Sequence, residues 1–271
     1  MEIKYICPFW GSEDLRPKNF IEKALDAGYD GVEMNAPSDE DAVNEIKKNI
    51  QEKGAVLIAQ QWLAPAVETV DAYRDRMLAR FKQLVELNPV FINSHTGKDF
   101  FSFEENSSLL KHCEAFTEES QVPIVHETHR GRFNYHAYTL LPYLNEFKDL
   151  QLNADFSHFC NVSESLLEDQ EDILEKIMPH CKYIHARVGF DQSAQVNDPF
   201  APEWKANLDR FVAWWQKIID LAKERGEKTF YVCPEFGPFP YMPQLPYTRR
   251  DISDQWGINK KMMEYLRKTL H

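Results

Sequence analysis

Short apolar runs alternate with longer amphipathic segments along the 271 residues of this chain. The apolar runs are rich in β-branched and aromatic residues and are bounded by polar or turn residues, a pattern typical of buried strands. The segments between them place apolar residues at helical spacing, as Tyr73, Met77 and Phe81 do within residues 69–88. Eight strands are predicted, at Lys4–Trp10, Gly28–Asn35, Ala55–Trp62, Val90–Gly97, Val122–Thr128, Leu150–Phe156, Lys182–Val188 and Thr229–Gly237.

The ends of the predicted helices carry residues that favour caps. Ser38 or Asp39 is the expected N-cap of the second helix. Gly28 and Gly54 are suited to end the first and second helices, because glycine adopts the left-handed conformation found there. A further helical pattern covers residues 163–177.

The order of these elements predicts the fold. Eight strand–helix units in succession imply a parallel sheet with right-handed crossovers. In a chain of this length they imply an α/β fold, a closed (β/α)₈ TIM barrel, with residues 1–271 as one domain. The first strand–helix loop, CPFWGSEDL, lacks the G-x-G-x-x-G pattern, so no dinucleotide site is predicted there.

Composition narrows the class of function. Lys and Arg total 31 and Asp and Glu total 43, so the net charge is −12. A nucleic-acid partner is not expected, because phosphate contacts need clustered Lys and Arg. No apolar run has the length of a membrane span, and the N-terminal residues lack the pattern of a signal peptide. The five cysteines show no C-x-x-C spacing, so we expect reduced thiols in a reducing compartment. Together with the lack of a membrane span and of a signal-peptide pattern, this predicts a cytoplasmic location and no membrane partner.

An ionisable residue stands at or near the end of each of the last four predicted strands. Glu127 ends strand five, Asp155 ends strand six and Glu235 ends strand eight, while His185 lies on strand seven. The carboxyl ends of barrel strands surround the active site, and neighbouring strands lie only about 4.8 Å apart. Each residue alone is more often a helix cap, an ion-pair partner or a packed histidine. Their equivalent positions instead predict one converging set.

Three carboxylates and one imidazole form an oxygen-rich ligand set. Such a set suits one divalent metal ion, and Mn²⁺, Mg²⁺, Co²⁺ and Zn²⁺ all stay open. A divalent cation would compensate the carboxylates, which could not otherwise share a small space as anions. It would also explain Asp155, a carboxylate that follows a buried apolar strand and needs a partner there.

These motifs, in this order, resemble the xylose-isomerase-like TIM-barrel superfamily of sugar isomerases and epimerases, which also includes endonuclease IV. The resemblance covers most of the chain and is greatest for the ketose 3-epimerase branch. The residues that carry it are GYDGVEM on strand two, Glu127 in VPIVHETH, the D-x-x-H of Asp155 and His158, His185 in KYIHARVG and Glu235 in VCPEFGP.

The resemblance implies roles for five residues. In the ketose 3-epimerase branch, residues matching Glu127, Asp155, His185 and Glu235 bind one divalent metal, and the two glutamates transfer protons on opposite faces of the substrate. The histidine that matches His158 contacts a substrate oxygen. Because strand side chains alternate, His158 is expected past the strand end, in the loop beside the metal.

Two departures from that branch bear on the substrate. The epimerases carry another glutamate after the strand-five ligand, and Phe133 stands near that place here. Their strand-seven histidine is followed several residues later by an arginine, where this chain has Asp191. Arg187 lies only two residues after His185, so alternation lets it face the mouth and bind substrate oxygens.

Further side chains near the predicted mouth are candidates for substrate binding. Aromatic rings there suit the C–H faces of a sugar, although ordinary loop packing explains each ring equally well. The loop at residues 189–204 is long, and loops of that length often act as lids. The segment EFGPFPYMPQLPYTRR would form a wall or a contact in a homo-oligomer. The candidates are Glu33 on strand two and, at or near strand ends, Trp10, Trp62, His95 and His129.

The implied activity is metal-dependent isomerisation or epimerisation of a small-molecule sugar or related polyol, with proton transfer by Glu127 and Glu235. Dehydration of a cyclic polyol stays open, because the same enolate can lose water. A phosphodiesterase like endonuclease IV is disfavoured, since it needs a D-x-H after strand seven that GFDQSAQVNDP lacks. The complete ligand set also argues against a non-catalytic sugar-binding barrel.

Overall fold

Eight parallel strands form a closed barrel in the computed structural model of this chain, which describes residues 1–35, 37 and 39–271. Each strand pairs with the next, and β8 pairs with β1 to close the ring. The predicted (β/α)₈ fold is therefore confirmed. The strands are β1 (Glu2–Pro8), β2 (Gly31–Met34), β3 (Val56–Gln61), β4 (Ile92–Ser94), β5 (Ile124–Glu127), β6 (Leu152–Ala154), β7 (Cys181–His185) and β8 (Thr229–Cys233).

Helices follow the strands and surround the barrel. Short 3₁₀ helices at Met178–His180 and Pro202–Trp204 precede β7 and the eighth α-helix. Within the described ranges, none of the helices is both long and apolar enough to cross a lipid bilayer. The described residues form nine α-helices, α1 (Pro17–Asp26), α2 (Glu40–Lys53), α3 (Val70–Val85), α4 (Phe103–Ser120), α5 (Ala137–Glu146), α6 (Ser157–Ser163), α7 (Glu171–Ile177), α8 (Lys205–Glu224) and α9 (Gln255–Thr269).

The ends of α2 carry the caps that the sequence predicts. The Asp39 carboxylate accepts a hydrogen bond of 3.0 Å from the backbone N–H three residues later. Gly54 ends the helix in the left-handed conformation, with φ of 62°. The alternative cap, Ser38, lies outside the described residues. Gly28 follows the C-cap of α1 and has φ of 97°, which favours glycine.

The helical pattern over residues 163–177 does not form one helix, and the prediction of continuity is wrong. Glu164 and Leu167 adopt left-handed backbone conformations, with φ of 48° and 59°. The Leu167 side chain is fully buried. Its carbonyl accepts a hydrogen bond of 3.3 Å from Arg210 of α8. Packing against α8 thus overrides the local helical pattern and separates α6 from α7.

Apolar side chains fill the barrel interior below the strand ends. A second, larger core lies between the strands and the surrounding helices. These two cores give the strand ends a rigid base, because protein cores pack as densely as organic crystals. The interior set comprises Ile6, Ile58, Phe91, Val125, Tyr183 and Cys233.

Candidate metal centre and pocket

Four side chains from the second half of the barrel converge at its carboxyl end. Glu127 and His185 are the last residues of β5 and β7, and Asp155 and Glu235 follow the ends of β6 and β8. Each is at most 2% exposed. One ligand atom from each lies within 4.8 Å of those of the other three. The structure therefore brings together the four residues predicted as metal ligands.

The His185 ring presents a nitrogen to this group of carboxylates. Its Nδ1 lies 2.9 Å from Glu235 Oε2 and 3.5 Å from Glu127 Oε2. The alignment is too poor for a hydrogen bond, so Nδ1 is a buried polar atom without a hydrogen-bond partner. Buried polar atoms are normally satisfied. A divalent cation between one imidazole nitrogen and three carboxylates fits this donor set.

His185 and Glu127 shift each other's pKa. Burial lowers the pKa of His185, but the carboxylates of Glu235, Glu33 and Glu127 outweigh burial and raise it well above its usual range. Burial alone would raise the pKa of Glu127, but His95 and His185 hold it well below its usual range. A divalent metal bound at Nδ1 would take the place of a proton on that nitrogen.

Asp155 is held by several donors. Its Oδ2 accepts hydrogen bonds from Arg187 Nε at 3.0 Å and Nη2 at 2.6 Å. The Ser157 hydroxyl and backbone N–H both donate to Oδ1, the latter at 3.2 Å. Burial raises the pKa of Asp155, and the Arg187 charge opposes that rise. The partner required by this buried carboxylate is thus Arg187 in the protein itself.

Arg187 reaches the same centre from the loop after β7. Its Nη2 lies 2.6 Å from Glu235 Oε2 as well as from Asp155, so one guanidinium bridges two carboxylates. The guanidinium carbon lies 5.6 Å from the Trp10 ring centroid and 4.6 Å from that of Tyr241. Its Nη1 is buried and has no hydrogen-bond partner among the described residues.

A cavity of about 540 Å³ opens above the centre. It has the size and the mostly apolar lining of a small-molecule site, with a few polar groups that converge. Five of the predicted substrate contacts line it: Trp10, Trp62, His95, His129 and Arg187. The other lining residues are Phe9, Glu13, Asn35, Gln60, Glu127, Glu235 and Tyr241.

Glu33, a predicted substrate contact, does not line this cavity. The side chain lies inside the barrel and is 2% exposed. Its Oε2 accepts a hydrogen bond of 2.7 Å from the Tyr183 hydroxyl and lies 3.1 Å from His185 Nε2. Asn93 donates to its Oε1 at 3.3 Å. Glu33 is thus placed behind His185, on the side away from the cavity.

His158 also lies elsewhere than predicted. It belongs to the first turn of α6 instead of a loop, because the chain enters a helix directly after Phe156. Its ring is fully buried, with its centroid 3.9 Å from that of His129, and does not line the cavity. Burial holds its pKa well below the usual range, so the ring is neutral. His129 separates it from the cavity.

Sequence reasoning missed Asn93 and Tyr241. Asn93 donates to Glu127 Oε2 at 2.9 Å, and a polar residue on the buried strand β4 was the available signal. The Tyr241 hydroxyl lies 3.2 Å from His129 Nε2 and its ring covers Arg187. Only its aromatic- and proline-rich segment, predicted as a wall, marked Tyr241 in the sequence.

The long loop after β7 packs against the β8 loop. Gln195 is buried, donates to the Gly237 carbonyl at 3.0 Å and accepts from the Gly237 N–H at 2.7 Å. No described residue of 189–204 lines the cavity. In this structure the loop therefore braces two strand ends.

Comparison with known families gives one match over much of the chain. A family model described as xylose isomerase-like TIM barrel matches residues 21–202. No curated protein sequence matches significantly. The matched range includes Glu127, Asp155 and His185, and Glu235 lies beyond it.

Solved structures of the same fold cover nearly the whole chain. A xylose isomerase-like TIM barrel protein from Mycobacterium smegmatis, in complex with magnesium, has a TM-score of 0.66 at 11% identity and covers 98% of this chain and 96% of its own. The 3-keto-D-glucoside 4-epimerase from E. coli has a TM-score of 0.62 at 12% identity, covering 98% and 100%. The probable 3-DHS dehydratase from Bacillus anthracis has a TM-score of 0.62 at 16% identity, covering 97% and 98%. At such identities the likeness establishes the fold alone.

Proposed function

Since the chain belongs to the xylose isomerase-like TIM-barrel family, we propose that it is a divalent-metal-dependent isomerase or epimerase of a sugar or related polyol. The observation that carries the proposal is the convergence of Glu127, Asp155, His185 and Glu235 beside a cavity of small-molecule size. A catalytic centre of this kind belongs at the carboxyl end of the barrel strands, where these residues lie.

Those four residues would hold the metal through three carboxylates and His185 Nδ1. A divalent cation bound there would act as a Lewis acid toward a substrate carbonyl and its neighbouring hydroxyl. The set is rich in hard oxygen donors, so Mg²⁺ and Mn²⁺ suit it as well as Co²⁺ and Zn²⁺.

Glu127 and Glu235 are the proposed proton-transfer pair. Both are buried and both line the cavity, from strand ends β5 and β8 that are separated by two strands. One glutamate removes a proton from the carbon beside the carbonyl, and the other returns a proton to the enediolate. His95 Nε2 lies 2.9 Å from Glu127 Oε2, where it orients that carboxylate and can exchange a proton with it.

Arg187 is the proposed donor to the reacting oxygens. Its Nη1 lacks a partner in the described protein, while Nη2 and Nε hold Asp155 and Glu235. A guanidinium fixed by two carboxylates and two aromatic rings loses little further freedom when it binds a substrate. It stabilises negative charge that develops on the substrate oxygen.

The charges around the cavity favour a neutral substrate. Three buried carboxylates are balanced by one divalent cation and the Arg187 guanidinium, so no net positive charge remains. Among the described residues that line the cavity, Arg187 is the one arginine or lysine. A phosphate or carboxylate group would meet Glu13 and two buried glutamates without a free cation.

Dehydration of a cyclic polyol is the second candidate. His95 and His129 lie together on the wall beyond Glu127, with ring centroids 4.6 Å apart. A histidine there could protonate a departing hydroxyl after Glu127 has removed a neighbouring proton. The structure of the probable dehydratase shares this fold, as does that of the epimerase, so the fold does not decide between them.

Proton exchange in D₂O tests the proposal. Purified protein is loaded with Mg²⁺, Mn²⁺, Co²⁺ or Zn²⁺ and mixed with a panel of ketoses, inositols and their phosphate esters, and spectra are followed by NMR. Isomerisation or epimerisation places deuterium on one carbon, whereas dehydration yields an unsaturated or deoxy product. We expect exchange with a neutral compound and little with its phosphate ester.

Glu127→Gln keeps the size of the side chain but removes its basicity, so turnover should fall at least about 10²-fold. Glu68→Gln is the matched control, because Glu68 pairs with Arg76 at 2.6 Å and does not line the cavity. Full turnover by Glu127→Gln would remove Glu127 from the mechanism. Absence of exchange and of elimination with every metal and compound would contradict the proposed activity.

A further inference from the structure

We propose that Glu33 is a positioning residue that fixes His185 so that Nδ1 faces the metal. The inference rests on the proposed metal-dependent function and adds to it a residue outside the ligand set. Glu33 does not line the cavity and is not one of the four converging residues.

The two ring nitrogens of His185 face opposite groups. Nε2 lies 3.1 Å from Glu33 Oε2, on the interior side. Nδ1 lies 2.9 Å from Glu235 Oε2 and 3.5 Å from Glu127 Oε2, on the side of the predicted ligands. The ring is fully buried, so water cannot replace either partner. Glu33 therefore determines which edge of the ring is turned toward the cation.

A carboxylate at Nε2 has a direct chemical consequence. It accepts the Nε2–H and so leaves the lone pair on Nδ1, which is the form that binds metal. It also makes the imidazole more electron-rich, which strengthens its bond to a metal. A ring free to turn over or to carry its proton on Nδ1 would bind the cation less often in the required geometry.

Glu33 is itself held in place from two other strands. The Tyr183 hydroxyl donates to the same Oε2 at 2.7 Å from β7. Asn93 of β4 donates to Oε1 at 3.3 Å and also to Glu127 Oε2 at 2.9 Å. Tyr183 in turn packs against Phe91 in the apolar interior, with ring centroids 5.2 Å apart. A chain of buried contacts thus runs from the barrel core through Glu33 to His185.

Calorimetric titration of the metal-free full chain with Mn²⁺ tests this role. Glu33→Gln keeps the shape and one acceptor but removes the charge, and we expect about 10- to 100-fold weaker binding. Tyr183→Phe leaves Glu33 charged but less firmly held, so a smaller loss is expected. Glu68→Gln, a carboxylate-to-amide change away from the centre, should bind Mn²⁺ like the wild type.

A second measurement reports the ring directly. Nitrogen chemical shifts of ¹⁵N-labelled histidines in the Zn²⁺-loaded protein show which nitrogen carries the proton and which binds metal. In the wild type, His185 should have a protonated Nε2 and a metal-bound Nδ1, and Glu33→Gln should lose this fixed pattern. A variant that loses stability but keeps both the affinity and the pattern would reduce Glu33 to a structural role.

The outcomes separate this inference from the proposed function. Unchanged Mn²⁺ affinity in both Glu33→Gln and Tyr183→Phe overturns the positioning role and leaves the function intact. Weaker binding in Glu33→Gln without turnover by the wild type supports the role and contradicts the function. Two equivalents of Mn²⁺ in the wild type that fall to one in Glu33→Gln would make Glu33 a ligand, together with His185 and Cys233, and would overturn the inference. A wild type that binds no Mn²⁺ would contradict both the positioning role and the proposed function.

Discussion

Arg187 and the carboxylates around it show how single residues decide the state of the centre. Its guanidinium bridges Asp155 and Glu235 at 2.6 Å while both carboxylates are buried. Burying unpaired anions costs several kcal/mol, so this cation stabilises the protein whenever no metal is present. A metal ion compensates the same carboxylates. The stability contribution of Arg187 therefore depends on metal occupancy.

Arg187→Met should lower the free energy of unfolding of the metal-free protein by about 3–5 kcal/mol, because two buried carboxylates lose their countercharge. Mn²⁺ should restore much of that loss. Thermal or denaturant unfolding with and without Mn²⁺ measures both effects. Lys111→Met, which breaks an exposed pair with Glu146, is the control and should change little. Equal destabilisation with and without Mn²⁺ would mean that the cation does not share these carboxylates.

The sequence predicts the four converging residues because strand ends are visible in it. It does not predict which residues contact those four inside the barrel. Glu33 is correctly placed on β2, but its depth in the barrel depends on the tilt and stagger of strands that are distant in sequence. The same holds for the bridge from Arg187 to Asp155 and Glu235, which needs the three-dimensional arrangement of three loops.

At the scale of elements, the contact between β2 and β3 depends on one glycine. Gly31 pairs with Val56, and a Cβ added to it would overlap the Val56 carbonyl oxygen. A backbone atom cannot move aside as a flexible side chain can. Glycine is thus required for β2 to lie close enough to carry Glu33 into the barrel.

Gly31→Ala should destabilise the protein by about 1–3 kcal/mol, since overpacking forces the strands apart. The midpoint of urea unfolding measures the loss, with the slope checked for two-state behaviour. Asn44→Ala, at an exposed position of α2, serves as the comparison and should leave the midpoint nearly unchanged. An unchanged midpoint in Gly31→Ala would show that the strands can separate without cost.

Element types are predicted more accurately than their bounds. All eight strands form where apolar runs predict them, yet β4 and β6 each span only three residues. The apolar residues that flank them lie outside the strands, and the hydrophobic pattern does not mark that bound. The break between α6 and α7 has a similar cause, because burial of Leu167 against α8 is a tertiary effect.

At the scale of the whole molecule, barrel closure brings the centre together. Its four predicted ligands come from positions 127 to 235, and β8 pairs with β1 to place the β1 loop beside them. Trp10 of that loop covers Arg187, and Tyr241 after β8 completes the wall. The order of strand–helix units predicts this closure. The shape and lining of the cavity, which depend on loop conformations, are not predicted.

Diffraction from crystals loaded with Mn²⁺ tests the central claim most directly. The anomalous signal of the ion locates it without assumptions about its ligands. We predict one strong peak within bonding distance of Glu127, Asp155, Glu235 and His185 Nδ1. A crystal with no peak there, or with its peak between His95, Glu127 and His129 instead, would contradict the account.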